Sequence, residues 1–242
     1  MFYAGIFGWR FDERMALASG ARYLVATLDG REVAAVTSAP DASSASTAWR
    51  TFVAVESADR TGEQVRVAGG AVLRGPFELL DNRVAVCADP SGAIFGLWQP
   101  GSIQGAQMVN APNSWNFSEL NTDDRDTAER FYGEVFGWQT SVMDVGTGGP
   151  PYTLWHLPGE LTPESRSIAG MSEMGDEYPT EVPAHWSSAF AVDDTDRVTA
   201  RAEELGASVR MAPFDTPVGR TAVLADPHGA VFSVITLERA DT

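Results

Sequence analysis

The chain has 242 residues, is 44% hydrophobic and 21% charged, and carries a formal net charge of −16. That length holds one large domain or two of ordinary size, with enough apolar residues for packed cores. The acidity repels nucleic-acid phosphates and anionic lipid, so neither nucleic acid nor membrane is expected as a partner. No apolar run approaches the roughly 18 residues that span a bilayer. The opening Met1-Phe2-Tyr3-Ala4-Gly5 has no basic stretch followed by an apolar one, so a cytoplasmic location is expected. Cys87 is the only cysteine, which leaves no intrachain disulfide and no cysteine-based metal cluster.

In chain order, Phe2-Tyr3-Ala4-Gly5-Ile6-Phe7-Gly8-Trp9 reads as the end of a helix. Trp49 to Val55 with Arg60 comes next, then Ala88-Asp89-Pro90-Ser91-Gly92-Ala93-Ile94-Phe95. All three blocks recur in the same order, as Phe131 to Trp138, Trp186 to Val192 with Arg197, and Ala225 to Phe232. From Phe2 to Phe131 is 129 positions, while Trp49 to Trp186 and Asp89 to Asp226 are each 137. The difference fits a longer loop in the second copy, near residues 158–183. The chain is therefore an internal tandem repeat. Pro100-Gly101-Ser102 and Ala111-Pro112-Asn113 flank an apolar connector, Ile103 to Val109, and divide the copies into domains 1–105 and 112–242.

The second copy opens with a strand over Trp115 to Thr122. A helix follows over Asp124 to Phe136, capped by an aspartate, with Ala128, Phe131, Tyr132, Val135 and Phe136 at helical spacing and Gly137 as its stop. Tyr152 to Leu157 reads as a strand and Pro158-Gly159 as a turn. After a strand over Ser188 to Val192, Asp196 to Leu205 is a second helix stopped by Gly206. Thr221 to Leu224 and Ala230 to Thr236 are strands joined by the turn Asp226-Pro227-His228-Gly229. The fold class is α+β, built of paired βαβββ modules with cupped mixed sheets. The first copy lacks the counterpart of Trp115 to Thr122. That leaves a sheet edge to be covered, for instance in a homodimer.

Phe131-Tyr132 through Phe136-Gly137-Trp138, together with Asp226-Pro227-His228-Gly229 and Ala230-Val231-Phe232, resembles the signatures of the vicinal oxygen chelate superfamily. That superfamily includes glyoxalase I, bleomycin resistance proteins and extradiol dioxygenases. More closely, the chain is similar to tandem glyoxalase-like proteins described as hydroxylase-like, some from polyketide pathways. The resemblance implies a curved sheet cupped around a ligand, but not a chemistry, because this fold hosts many. In metal-using members the ligands are His, Gln or Glu on the first strand of each module and Glu on the last strand. The matching positions here are Phe117, Ser187, Ser233 and Gly96. None is a metal ligand, so no metal site and no cofactor are predicted. A divalent metal on displaced ligands is the alternative.

Period-two alternation places Phe117, Glu119 and Asn121 on one face of the first strand and Ser118, Leu120 and Thr122 on the other. By the resemblance, the first face lines the cup. Glu119 is the candidate general acid or base, unless a salt bridge to Arg125 or Arg220 holds it. His156 and His185 are the candidate proton shuttles. Trp115, Phe117, Asn121, Tyr152, Trp155, Trp186, Arg220 and Ser233 are the candidate ligand-binding residues. The aromatics suit a flat apolar ring system, and Arg220 suits an anionic or carbonyl group unless a nearby acid takes it. Met171 and Met174 add an adaptable wall. Gly146 to Gly149 reads as a loop over the cup. Cys87 aligns with Leu224 and reads as a buried apolar residue, and His228 as a turn residue.

Three functions follow. The first is a small-molecule-binding protein or metal-independent tailoring enzyme (hydroxylase-like, lyase or isomerase) acting on an aromatic, polyketide-like metabolite. The second is non-catalytic sequestration of a drug or metabolite. The third is a divalent-metal enzyme of the glyoxalase or dioxygenase type with displaced ligands.

Overall fold

In the computed structural model, Asp124 accepts a hydrogen bond from the Thr127 amide at 3.0 Å and Gly137 adopts a left-handed φ of 70°, so the helix between them has both its ends fixed. The structure describes residues 2–16, 20–37, 47–143, 152–159, 166–175, 178–179 and 181–238. The expected glycine-rich loop at 146–149 lies outside the described residues. The elements of the first copy are α1 (Phe2–Phe7), β1 (Arg10–Ala16), β2 (Arg22–Leu28), β3 (Arg31–Thr37), β4 (Phe52–Ala54), α2 (Ala58–Val67), β5 (Ala71–Leu79), β6 (Asn82–Ala88) and β7 (Ile94–Gln99). Those of the second are β8 (Trp115–Thr122), α3 (Arg125–Phe136), β9 (Gln139–Met143), β10 (Tyr152–His156), β11 (Ala169–Glu173), β12 (His185–Ala191), α4 (Thr195–Glu204), β13 (Ser208–Thr216), β14 (Gly219–Ala225) and β15 (Val231–Leu237). The second copy is thus two βαβββ modules. No helix of the described residues is long and apolar enough to cross a membrane.

The chain divides into two compact units, and they cut across the repeat. Unit 1 is Met1–Trp49, Gln104–Asn116 and Ser188–Thr242; unit 2 is Arg50–Ile103 and Phe117–Ser187. Each unit therefore takes half of each copy, whereas a division at 105 and 112 keeps each copy whole. Unit 1 holds the antiparallel sheet β1-β2-β3 and the strands β13-β14-β15-β12. Its core includes Phe7, Trp9, Phe190 and Phe232. Among the described residues β1-β2-β3 has no counterpart of β4, β8 or β12. Unit 2 holds the sheet β4-β7-β6-β5 and the strands β8-β11-β10-β9, around a core that includes Phe95, Leu97, Leu120, Phe131, Tyr132, Trp155 and Trp186.

The repeated signature residues explain why a unit needs both copies. In unit 2, Trp186 Nε1 donates to Tyr132 Oη at 2.7 Å, and that hydroxyl donates to Asp89 Oδ2 at 3.0 Å. Asp89 comes from the first copy and the other two from the second. In unit 1 the roles reverse: Trp49 Nε1 donates to Tyr3 Oη at 2.9 Å, and Tyr3 donates to Asp226 Oδ2 at 2.9 Å. Each aspartate also organises its own turn. Asp89 Oδ1 accepts from the Ala93 amide, and Asp226 Oδ1 from those of His228 and Ala230. In each unit a tyrosine hydroxyl accepts from the indole of its own copy and donates to a carboxylate of the other, which ties the two module halves together. Cys87 is fully buried, and burial pushes its thiol up to about 11, as suits an apolar core position.

Candidate functional site

In unit 2 the two strand faces of β8 separate as alternation predicts. Leu120 joins the core, and Ser118 accepts a hydrogen bond from Thr51 Oγ1 at 2.8 Å. Phe117, Glu119 and Asn121 occupy the opposite face. The register places Glu119 beside Gly170 of β11, and Gly170 in turn beside Leu154 of β10. Tyr152, two residues from Leu154, lies on the same face.

The Tyr152 hydroxyl crosses β11 to reach the Glu119 carboxylate, donating to Oε2 at 2.5 Å. Gly170 makes the crossing feasible. A Cβ there would lie 1.9 Å from Tyr152 Oη and 2.9 Å from Phe117 Cε1. Burial holds the Glu119 carboxyl above its ordinary pKa, and the hydrogen bond from Tyr152 only partly opposes that rise. Burial likewise raises the Tyr152 phenol, and the neighbouring carboxylate adds to the effect, so it stays an O–H donor. Neither arginine considered as a salt-bridge partner is involved, because Arg125 pairs with Glu129 and Arg220 with Asp196 and Asp215. Among the described residues, no partner holds the second carboxylate oxygen, Oε1.

Beside this pair, Asn121 is almost fully buried. Its Oδ1 accepts from the Tyr178 hydroxyl at 2.8 Å, and its Nδ2 donates to Ser187 Oγ at 3.3 Å. Ser187 Oγ donates to the Glu119 backbone carbonyl at 3.3 Å. Phe117, Glu119, Asn121 and Tyr152 thus come together as the alternation implies, joined by Tyr178 and Ser187. Tyr178 sits in the longer loop of the second copy, where no periodicity marks it. Ser187 drew notice only as an empty metal-ligand position.

The remaining candidates fall elsewhere. His156 is buried on β10, with Nε2 2.8 Å from Ser141 Oγ and Nδ1 without a partner. Four residues along the strand put it roughly 13 Å from Tyr152, outside the Glu119 cluster. His185 Nδ1 donates to the Pro183 carbonyl at 2.9 Å, and the ring makes no bond to Glu119. Trp155 and Trp186 are corrections. Both point into the helix-covered core, against Tyr132 and Trp138, and neither lines the cup. Trp115, Arg220 and Ser233 belong to unit 1. Trp115 packs on the unit 1 core. Arg220 is a surface residue committed to two carboxylates, so it anchors no ligand. Its counterpart Arg83 holds Asp59 and Glu78 in the same way. Met171 is core, and only Met174 is half-buried.

In the second sheet of unit 2, Thr51 bonds Ser118 on the face of β8 opposite Glu119, so alternation puts its neighbour Phe52 on the Glu119 side. Phe52 of β4 registers with Gly96 of β7, and a Cβ on Gly96 would come 2.2 Å from the Phe52 ring. Trp98 meets Phe52 edge-on, with ring centroids 6.0 Å apart. This bears on a metal. Phe117 and Gly96 have no donor atom, a phenyl ring fills the space at Gly96, and among the described residues no three His, Cys, Asp or Glu side chains converge. The residues present do not fit a divalent-metal centre at the positions the superfamily uses. A separate shallow depression between α2 and α3, lined by Arg60, Glu63, Gln64, Val67, Ala68 and Glu134, lies away from this chemistry.

Comparison with known proteins gives a consistent picture. The family described as a glyoxalase-like domain matches residues 118–235. The chain is 38% identical to anthracycline biosynthesis protein DauV of Streptomyces sp. (strain C5), over 99% of this chain and 88% of DauV. It is 37% identical to anthracycline biosynthesis protein DnrV of Streptomyces peucetius, over 98% and 87% of the two chains. Among solved structures, the 2,3-dioxygenase LapB from Pseudomonas sp. KL28 is similar with a TM-score of 0.58 and 14% identity, covering 100% of this chain and 88% of LapB. At that identity the likeness is one of fold alone.

Proposed function

The chain belongs to the glyoxalase-like family of the vicinal oxygen chelate superfamily, and from that premise we propose that the open face of unit 2 binds an aromatic, polyketide-like metabolite and moves a proton on it through Glu119. The observation that carries the reading is a buried carboxyl whose bonding is half complete. Tyr152 satisfies Oε2, and among the described residues no cation pairs with the carboxylate and no partner holds Oε1. A carboxyl of raised pKa exchanges protons readily near neutral pH. Ionised, it takes a proton from a carbon next to a ligand carbonyl. The C–H electron pair passes into an enolate, and the proton returns at a second position, with no change of oxidation state. Tyr152 holds the carboxylate in place by donating to the oxygen that does not react. The names of DauV and DnrV point to aromatic polyketide metabolism as the source of such a ligand.

Binding without catalysis is the second reading. It is favoured by the bonding of both histidines, His156 to Ser141 and His185 to the Pro183 carbonyl, which leaves Glu119 with no bond to an imidazole among the described residues. The substitution Glu119→Gln separates the two readings. Wild-type protein should catalyse deuterium uptake from heavy water at the acidic carbon of an aromatic polyketide ketone. The variant should lose that rate by roughly 100-fold or more while ligand affinity persists. Equal uptake by both proteins would remove Glu119 from the chemistry, and no uptake by wild type despite tight binding would establish the binder.

A further inference from the structure

The second sheet of unit 2 carries two arginines that its ion pairs leave out. Across that sheet the register aligns Arg74 with Val86, Val86 with Gly96 and Gly96 with Phe52, so Arg74 and Phe52 share one row and one face. Arg50 lies two residues before Phe52, and the pairing extends at least to Thr51, whose carbonyl accepts from the Gly96 amide at 2.8 Å. Period-two alternation then sets Arg50 on the Phe52 face. The Arg74 guanidinium stands over the Phe77 ring, 4.8 Å from its centroid.

In this chain carboxylates outnumber cations, 33 to 17. Arg83 and Arg220 each hold two of them, and Arg125 holds one. Arg50 and Arg74 hold none among the described residues. β5, which carries Arg74, and β4, which Arg50 leads into, are the two edges of the sheet, so both side chains reach in from opposite sides of one face. Partial burial of the Arg50 guanidinium, in a residue otherwise exposed, lowers its pKa, and the Arg74 charge lowers it further. The fold does not require the pair. The corresponding positions 137 residues later are Ser187 and Met211. Two cations on one face of one sheet, at its opposite edges and held by no carboxylate among the described residues, suit a counter-charge that arrives from outside and bridges them.

We propose that Arg50 and Arg74 form an anion-recognition subsite on the open face of unit 2, and that the ligand carries a carboxylate that engages them. This rests on the reading of that face as the ligand site. The guanidinium forks take up carboxylate oxygens through charge-assisted hydrogen bonds. Phe77 holds one fork in place, and Phe52 and Trp98 offer flat apolar surface to the rings that bear the carboxylate. The acid terminus of the ligand is thereby set on one sheet and its reacting carbon is left to Glu119 on the other.

The test titrates the protein with anthraquinone carboxylate and with the neutral anthraquinone carboxamide, reading tryptophan quenching at pH 7. Wild type should prefer the carboxylate by at least roughly tenfold, from charge-assisted bonds. In the double variant R50Q/R74Q the preference should vanish while carboxamide affinity persists, which also shows that the variant folds. Equal wild-type affinities for the two probes, both weakened by Phe117→Ala, would overturn the subsite and leave the ligand face standing. A carboxylate preference that survives in R50Q/R74Q would do the same. Failure of both probes to bind, or binding of both untouched by Phe117→Ala and R50Q/R74Q, would overturn the subsite together with the ligand face.

Discussion

Replacing Tyr132 by Phe removes one oxygen from a fully buried position and orphans two partners at once. Trp186 Nε1 loses its acceptor and Asp89 Oδ2 loses its donor, while Asp89 Oδ1 keeps the Ala93 amide. Each buried polar group left unsatisfied costs about 1–3 kcal/mol, so the expected loss for the two is about 2–6 kcal/mol. Against a domain stability of about 5–15 kcal/mol that is a large fraction. The loss should depend on pH. Burial already raises the Asp89 pKa, and the Tyr132 hydrogen bond opposes that rise, so the variant raises it further. A carboxyl whose folded pKa is raised costs stability as pH climbs through its unfolded pKa towards the folded one. The penalty should therefore be larger at pH 7 than at pH 4. Urea unfolding of the full chain, followed by fluorescence, measures it, and Tyr3→Phe serves as the matched control for unit 1, where Trp49 and Asp226 lose the same partner. A loss below about 0.5 kcal/mol at unchanged m-value would refute the claim that these triads tie the module halves together.

Glu119→Gln should stabilise the fold at pH 7, because the raised carboxyl pKa makes its ionised form a cost that neutral Gln avoids, and the gain should fade as pH drops below the ordinary carboxylate range. Urea midpoints at the two pH values check this, and a pH-independent difference would contradict it. Gly170→Ala should cost about 1–3 kcal/mol and dislodge Tyr152 from Glu119, since the new methyl would overlap the hydroxyl. The same unfolding assay reads the stability, and an unperturbed variant would mean the crossing is looser than described. Treatment with a chelator should leave ligand affinity and thermal stability unchanged, because the metal-ligand positions hold Phe117, Ser187, Gly96 and Ser233. Stoichiometric metal by elemental mass spectrometry would show that other groups bind one.

The repeat, the α3 cap and the split between the two faces of β8 were all legible because each is a local regularity: a matched block, an aspartate before an apolar helix, an alternation. What the sequence hid is non-local. Trp155 and Trp186 read as cup aromatics because pattern alone does not say which side of a sheet the helix will cover. Tyr132 claims Trp186 through one hydrogen bond, and that choice sends the ring inward. Arg220 read as a ligand anchor until Asp196 and Asp215 arrived from other elements. The same ion pair recurs at Arg83, so the repeat offered a hint that only the fold decodes. The crossing of Tyr152 over Gly170 depends on the register of three strands. A glycine in a strand flags a close approach, though not which side chain makes it.

Three parallel pairings among the described residues set equivalent slots side by side. Phe52 faces Gly96, Ala189 faces Ser233, and Glu119 faces Gly170. These are equivalent places in three modules, and only one carries a titratable group. Two of the three partners are glycines, and in each case a ring side chain occupies the room the missing Cβ leaves: Phe52 at Gly96, Tyr152 at Gly170. At Gly96 the result is apolar surface. At Gly170 the incoming ring brings a hydroxyl, and the strand beside it offers a carboxyl. A glycine in that slot leaves the space through which a neighbouring strand can deliver a ring, and at Gly170 that ring is a phenol. A carboxyl held by one phenolic hydrogen bond is equipped for proton transfer, and deuterium uptake at a carbon next to a carbonyl is the direct readout of the role proposed for Glu119.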